Sequence, residues 1–451
     1  METSEFLHTV ESVHREARRR GLFFQDTTDD RLRSRDVTCG ERSAVSFASC
    51  SYLGLEHHPA LVEAVPDAVD RYGTQFSASR GYLSAPLYAP LEEALGEVFG
   101  GHVPVTASTT LGHSAALPVL ATEHDAIVLD HQVHHSVQSA ATLARASGAR
   151  VKLVRHGELQ QAEEVVAQLA RECETVWFAC DGVYSMYGDL APVTLLERLL
   201  KLAPNVRLYV DDAHGMSWAG RHGRGSFLSR MDLSERLVLA TSLNKAFSAG
   251  GGCLVFSSRE GRDRGRVCAG PMVFSGPLQP PMLGAALASA RVHLSPEITP
   301  RQEALRERAA HCNDRLLAAG LPLLSKNESP IFFLGLGLPS IGFDVAERLL
   351  DEGLYVCVSA YPSVPMKRGG IRLTLTTEHS FEAIDRVVDG LARHIPEALE
   401  RAGSSLDEVR ASFADAIPRE SRTLPEVARV FLLADATTSR RDGPRPVTTT
   451  R

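Results

Sequence analysis

Short apolar runs recur between helical patterns across residues 56–290. They are DAIVLD (125–130), TVWFACD (175–181), VRLYVDD (206–212) and RLVLAT (236–241). Strands that alternate with helices predict an α/β fold with a mostly parallel sheet covered on both faces. In such sheets ligands gather outside the carboxyl ends of the strands. The residues that close these runs are therefore the first place to look for chemistry.

The flanking sequence divides the chain further. Residues 5–20 read as a helix ended by Gly21, and AVSFASCSYLGL (44–55) as a short strand and loop. After residue 290, Thr299, Pro300 and Gln302 have the spacing of an N-cap, first helical proline and capping box, and Gly320 closes that helix. PIFFLGLG (330–337), LYVCVSA (354–360) and IRLTLT (371–376) come next as strands of a smaller α+β unit. The expected layout is an N-terminal segment (1–55), a large domain (56–290), a small domain (291–398) and an extension (399–451). Within the extension, 420–434 could form one more helix, and the Pro-, Thr- and Arg-rich end is expected to be disordered.

Composition narrows the function. The 451 residues are 44% hydrophobic, and 48 basic against 55 acidic side chains give a net charge of -7. There is no long basic stripe, which argues against nucleic acid, and no apolar run of the length a bilayer span needs. The eight cysteines contain no CxxC pair and read as reduced thiols of a cytoplasmic protein.

Five stretches carry candidate chemistry. TSLNKAFSAGGG (241–252) sets Lys245 after a strand and before glycines that let a backbone approach a ligand closely. Its bland alternative is a surface lysine; its chemical reading is a Schiff-base amine. In YVDDAHG (209–215), Asp211 ends an apolar strand, where a buried carboxylate needs a cation. The protonated pyridine of pyridoxal 5'-phosphate is such a cation, and His214 could serve the ring oxygen. A loop-capping aspartate explains the same letters. LDHQVHHSVQSA (129–140) holds His131, His134 and His135. A metal site would need further ligands that the sequence does not supply, and His134 suits stacking on a flat ring better. TASTTLGHSAAL (106–117) places Thr109 and Thr110 at a helix start, where N–H groups bind phosphate or are simply capped. In PSVPMKRGGIRLTLTTEH (362–379), Arg372 lies on a strand with its neighbours Ile371 and Leu373 facing the other way. It is either a carboxylate-binding guanidinium or an ordinary edge-strand arginine.

Together these elements resemble the α-oxoamine synthases, pyridoxal-phosphate-dependent acyltransferases. The resemblance spans about residues 15–395 and rests on SYLGLEHHP (51–59), DHQVHHS (130–136), DGVYSMYGDLAP (181–192), VDDAHG (210–215), GRGS (223–226), SLNKAF (242–247), FSGPLQPP (274–281) and PSVP…IRLTLT (362–376). It implies the type I transferase fold, with a seven-stranded-type sheet, and a homodimer with active sites between subunits. It implies that Lys245 binds the cofactor covalently, Asp211 faces the pyridine nitrogen, His214 the ring oxygen, and His134 stacks on the ring. Ser185 would lie near the substrate carboxylate or ring oxygen, and Arg372 would bind that carboxylate. Ser242, with the backbone of Thr109 and Thr110 and Ser275 of a second subunit, would hold the phosphate.

The implied reaction joins an α-amino acid to an acyl thioester, of coenzyme A or an acyl carrier protein, with loss of CO₂. An aminotransferase, or a catalytically inert subunit on the same fold, would share much of the pattern. The departures fall mainly on substrate contacts. Cys50 stands where the family has asparagine, Ser108–His113 replaces SG(F/Y)xAN, and Tyr88 replaces a histidine. Tyr187 turns SMDGD into SMYGD, and Asn244 precedes the lysine. They point to a specialised biosynthetic pathway.

Overall fold

A computed structural model describes residues 3–32, 34–326, 328–414 and 416. The expected extra helix at 420–434 and the disordered end lie outside the described residues. The centre is a seven-stranded sheet. Its strands are β1 (Val105–Thr106), β2 (Ala126–Asp130), β3 (Arg150–Val154), β4 (Val176–Asp181), β5 (Val206–Asp211), β6 (Leu237–Ser242) and β7 (Gly252–Val255). Their order is β1-β7-β6-β5-β4-β2-β3, and only β7 runs against the rest.

Both faces of the inner strands are buried, which explains runs apolar along their whole length, while the edge strand β3 is mostly exposed. Val206, Leu208 and Val210 of β5 enter one core with Phe178, Leu239 and Val255. Tyr209 enters the opposite core with Ile127, Trp177 and Val238. Neighbouring strands β2 and β3 lead the chain outward, and β4 then returns to the other side of β2. The chain therefore reverses direction across the sheet between β2 and β4, the position at which such sheets open a ligand crevice.

A smaller three-stranded antiparallel sheet pairs Ile331–Gly337 and Cys357–Ser359 with the central strand Gly369–Thr374. Two expectations are corrected here. The run 354–360 is not one strand: Leu354–Tyr355 pairs with Arg42–Ser46 instead, and only Cys357–Ser359 joins the smaller sheet. The capping box at Thr299 does not form. The helix starts two residues earlier, Ile298–Ala318, with Glu297 at its cap. Gln302 is buried, and its amide donates to the carbonyls of Ser217 (2.8 Å) and Gly220 (3.0 Å). These two carbonyls, of which that of Gly220 also accepts the Gly223 N–H at 3.1 Å, outcompete a helix cap for the side chain.

The helix Phe381–Arg401 is followed by Leu406–Ser412, which packs beside the strand Ile331–Gly337. Phe413 sets its ring against Phe333 and Tyr187, with centroids 6.1 and 6.3 Å away. A Cβ on Gly335 would stand 2.7 Å from that ring, so the glycine leaves room for it. Gln132, just past β2, donates to the carbonyl of Ala416 at 3.1 Å. Among the described residues no helix is long and apolar enough to cross a membrane, and all eight cysteines are free.

A buried ionic group braces the end of β2. His156 lies between Asp130 (Nδ1 to Oδ2, 2.8 Å) and Asp189 (Nε2 to Oδ2, 2.9 Å), while the Tyr184 hydroxyl donates to Asp130 at 2.9 Å. Burial works against a charged imidazole, but the two carboxylates prevail and raise His156 from 6.5 to about 10. A raised histidine stabilises fully below its unfolded value near 6.5, and that contribution is lost as pH rises through the folded value. The denaturation midpoint is thus expected to fall steadily from pH 7 to about 10. His156→Gln should be less stable at pH 7 and lack that slope; an equally steep slope in chemical denaturation of the variant would refute the ionic role.

Candidate active site

Three of the central strands deliver polar side chains to one end of the sheet. β4 ends in Asp181, β5 in Asp211 and β6 in Ser242, and register places Asp181 directly beside Asp211. With Asp212, three carboxyls crowd into one dry region, and they do not share a charge state.

Asp211 is ionised. Burial draws its carboxyl upward, but the contact with His113 and the charges of Lys245 and His134 bring it down to about 2. Its Oδ1 accepts the Ala213 N–H (3.0 Å), and its Oδ2 meets His113 Nε2 (2.9 Å). Asp181 is the reverse case: burial, then the charge of Asp211, pushes it well above the usual carboxylate range. It accepts the His134 N–H at 3.0 Å. Asp212 is pushed up to about 7 by burial. Its Oδ2 accepts the Phe227 N–H at 3.0 Å, and its Oδ1 has no hydrogen-bond partner among the described residues. Three glycines wall it in. A Cβ at Gly182, Gly215 or Gly225 would lie 2.1, 1.9 or 2.4 Å from its oxygens.

Lys245 follows β6 and is half-buried. Its ammonium makes no hydrogen bond or ion pair with any described residue. Its charge nonetheless acts on Asp181, Asp211, His134 and His214, so these five groups form one electrostatic neighbourhood. Burial holds His214 well below the usual imidazole range, hence neutral. The Tyr52 hydroxyl lies 2.8 Å from His214 Nδ1. The Arg372 guanidinium beside that hydroxyl can only donate to it. Tyr52 can then donate to His214 or to Cys50, also beside it; donation to His214 puts the imidazole proton on Nε2.

The start of the helix Thr109–Leu120 adjoins the end of β6. Ser108 caps it by accepting the Leu111 N–H, and Thr109 Oγ1 donates to the Thr241 carbonyl at 3.2 Å. The N–H groups of Thr109 and Thr110 meet no acceptor among the described residues. Gly252 permits the approach, since a Cβ there would sit 2.5 Å from Thr109 N. Ser242 Oγ accepts the Asn244 N–H at 3.2 Å.

Arg372 occupies the centre strand of the smaller sheet, not an edge. It is 7% exposed, and no carboxylate pairs with it among the described residues. Its Nε donates to the Ser185 carbonyl at 2.7 Å, which ties the smaller sheet to the loop after β4. Tyr52, Cys50 and Cys357 are its electrostatic neighbours. Through Tyr52 this cluster reaches His214, so the two parts of the fold meet at one place.

The histidines of 131–135 diverge. His131 Nδ1 accepts the His156 N–H (2.8 Å), His135 bonds Ser139 (3.3 Å), and His134 caps the helix His135–Ala146 with its ring exposed. Among the described residues no group of three His, Cys, Asp or Glu side chains could hold a metal. Ser275 stands apart from Ser242: its hydroxyl donates to the Pro271 carbonyl, at the end of the helix Gly270–Phe274.

His113, Tyr209, Tyr52, Asp181 and Asp212 are additions that the sequence did not single out. Asp181 had a signal, since it closes a strand of the same kind as the one ending in Asp211. His113 had none, because one helical turn past Thr109 a histidine can face either solvent or the sheet.

Comparison with known proteins agrees with this architecture. The family described as Aminotransferase class I and II matches residues 42–391. The 8-amino-7-oxononanoate synthase of Methylocella silvestris is 32% identical over 355 residues, covering 78% of this chain and 97% of that protein. The 8-amino-7-oxononanoate synthase of Geobacter sulfurreducens is 33% identical over 380 residues, covering 83% and 95%. Among solved structures, the serine palmitoyltransferase of Sphingomonas wittichii shares the fold, with a TM-score of 0.79 at 22% identity over 88% of this chain and 99% of that one. The chain belongs to the aminotransferase class I and II family and, within it, is an α-oxoamine synthase: an acyltransferase enzyme that depends on pyridoxal phosphate.

Proposed function

We propose that the enzyme condenses an α-amino acid with an acyl thioester, releasing CO₂ and a free thiol and leaving an α-amino ketone. The observation that carries this reading is the buried, uncompensated guanidinium of Arg372. A buried cation without a carboxylate costs several kcal/mol (~3–5 for a broken buried pair). An amino-acid carboxylate from the substrate removes that cost with two parallel hydrogen bonds.

The remaining groups fit the cofactor. Asp211 supplies a fixed anion for a pyridinium, His214 a donor at Nε2, and the Thr109 and Thr110 amides with the Ser242 hydroxyl a phosphate cradle. Lys245 supplies an amine in no ion pair among the described residues. His134 covers the ring, and Ser185 lines the carboxylate end beside Cys50. When bound, pyridoxal phosphate contributes an aldehyde for Lys245 and a charged ring that stabilises negative charge at Cα. Arg372 orients the amino acid. The Lys245 amine then takes the Cα proton, a positioned transfer typically worth about 10²–10⁴-fold. The new carbon–carbon bond forms at the thioester carbonyl as the thiol leaves, the amino acid's carboxylate departs as CO₂, and a proton returns to Cα to give the α-amino ketone.

The same reading makes the enzyme a homodimer, with Ser275 of one subunit completing the phosphate site of the other. Its support is an apolar surface in which Ser79 Oγ bonds the Val273 carbonyl and brings two segments together. Tyr82 and Phe274 are 92% and 89% exposed, with Leu83 and Val267 also exposed nearby in sequence. Donors of either kind, coenzyme A or a carrier protein, fit the proposal, and a cytoplasmic location suits both.

With a panel of amino acids and acyl thioesters, CO₂ and thiol should form only when both substrates are present, and Lys245→Ala should lose at least about 10²-fold. Amino transfer to a 2-oxo acid without any thioester would replace this reading with an aminotransferase. Arg372→Ala should raise KM for the amino acid about 10- to 100-fold, the loss of a charged hydrogen bond of ~1.5–3 kcal/mol, with KM for the thioester little changed. Phe274→Asp should sediment as a monomer and bind cofactor poorly; an unchanged oligomer would argue against this interface.

A further inference from the structure

Behind Asp211 stands a hydrogen-bonded chain that no part of the proposed reaction uses. His113 lies on the helix Thr109–Leu120, one turn from the phosphate-cradle end, and faces the sheet. Its Nε2 is 2.9 Å from Asp211 Oδ2, and its Nδ1 is 2.8 Å from the hydroxyl of Tyr209. His113 and Tyr209 are both 0% exposed, and Asp211 is 4% exposed. The Tyr209 hydroxyl has no other partner among the described residues, so it donates to Nδ1, and an N–H at Nε2 points at the carboxylate. Burial keeps Tyr209 well above the usual tyrosine range, so it remains a donor.

We infer that His113, fixed by Tyr209, is a positioning residue that decides where the proton rests between Asp211 and the ring nitrogen of the cofactor. In a dry site a carboxyl and a pyridine sharing one proton have two arrangements. The neutral pair keeps the proton on the acid, and the ion pair puts it on the ring. Desolvation favours the neutral pair. A donor held against the far side of the carboxylate stabilises only the ion pair. Two N–H groups, from Ala213 and His113, reach Asp211, and only the second is a side chain that substitution can remove. The neighbouring carboxyls provide an internal contrast. Asp181 and Asp212 are equally buried, lack an imidazole partner and are pushed up, whereas Asp211 is driven down.

The inference rests on the proposed placement of the cofactor against Asp211, and the test separates the two. The readout is the ¹⁵N NMR shift of pyridoxal phosphate labelled at the ring nitrogen and bound to the full-length enzyme. The native protein should show a protonated nitrogen. His113→Leu should move the shift more than halfway toward the unprotonated value. His113→Gln, whose terminal amide reaches about as far as Nε2, should restore it. Tyr209→Phe removes one hydroxyl and should move the shift in the same direction by less, and it decides the matter if His113→Leu does not fold. Asp211→Asn serves as the control and should move the shift fully. If Asp211→Asn moves it while His113→Leu and Tyr209→Phe leave it at the native value, the relay is wrong. If even Asp211→Asn leaves it unmoved, the cofactor placement falls and the relay with it.

Discussion

An ionised carboxylate with almost no access to water is the constraint around which this site is arranged. Asp211 closes a strand buried on both faces, so no solvent stabilises its charge. Protein groups do so instead: an amide two residues on, an imidazole from a helix, and the more distant charge of Lys245. Its neighbours in the same dry region are pushed the other way, Asp181 well above the usual carboxylate range and Asp212 to about 7. Asp211 is thus the carboxyl of this region held lowest, at the end of a strand pointing into the crevice. The sheet makes this possible, because parallel register sets Asp181 and Asp211 side by side while their strands come from different parts of the chain.

The fold was legible because its signal is repeated. Several apolar runs, each trailed by a helical pattern, leave few arrangements other than a covered parallel sheet, and β2, β4, β5 and β6 all fall on those runs. Local signals did less well where tertiary demands competed. Gln302 has the spacing of a capping residue, yet the carbonyls of Ser217 and Gly220 claim it. The run 354–360 has strand composition throughout, yet it divides between two sheets, a choice set by partners more than 300 residues away in one case. The site was legible where chemistry coincides with a strand end, as for Asp211 and Ser242, or with a glycine-rich turn, as for Lys245. Residues that act from behind, such as His113 and Tyr52, carry no local mark. Their importance comes from what they touch.

The departures from the family pattern now have surroundings. Cys50 lies among the electrostatic neighbours of Arg372, where it offers less polar contact than an asparagine would. Tyr88 is buried under the Arg80 guanidinium, 3.6 Å from its ring centre, and its hydroxyl accepts the Leu278 N–H at 2.7 Å. In this chain that position braces the backbone. His113 falls in the replaced segment 108–113 and reaches two buried polar groups at once. A shorter amide in its place could not span both.

Tyr187 has the widest reach of these changes. Its ring rests edge-on against Phe333, 4.8 Å between centres, and against Phe413 from the far end of the chain. The loop carrying Ser185 and its grip on Arg372 is thus backed by an aromatic wedge, of which Phe413 lies past residue 391, the end of the family match. Swapping crevice residues with a shorter relative would transplant the lining and leave its buttress behind. A substitution at Phe413 would thus be felt at Arg372, through the Tyr187 ring and the Ser185 carbonyl.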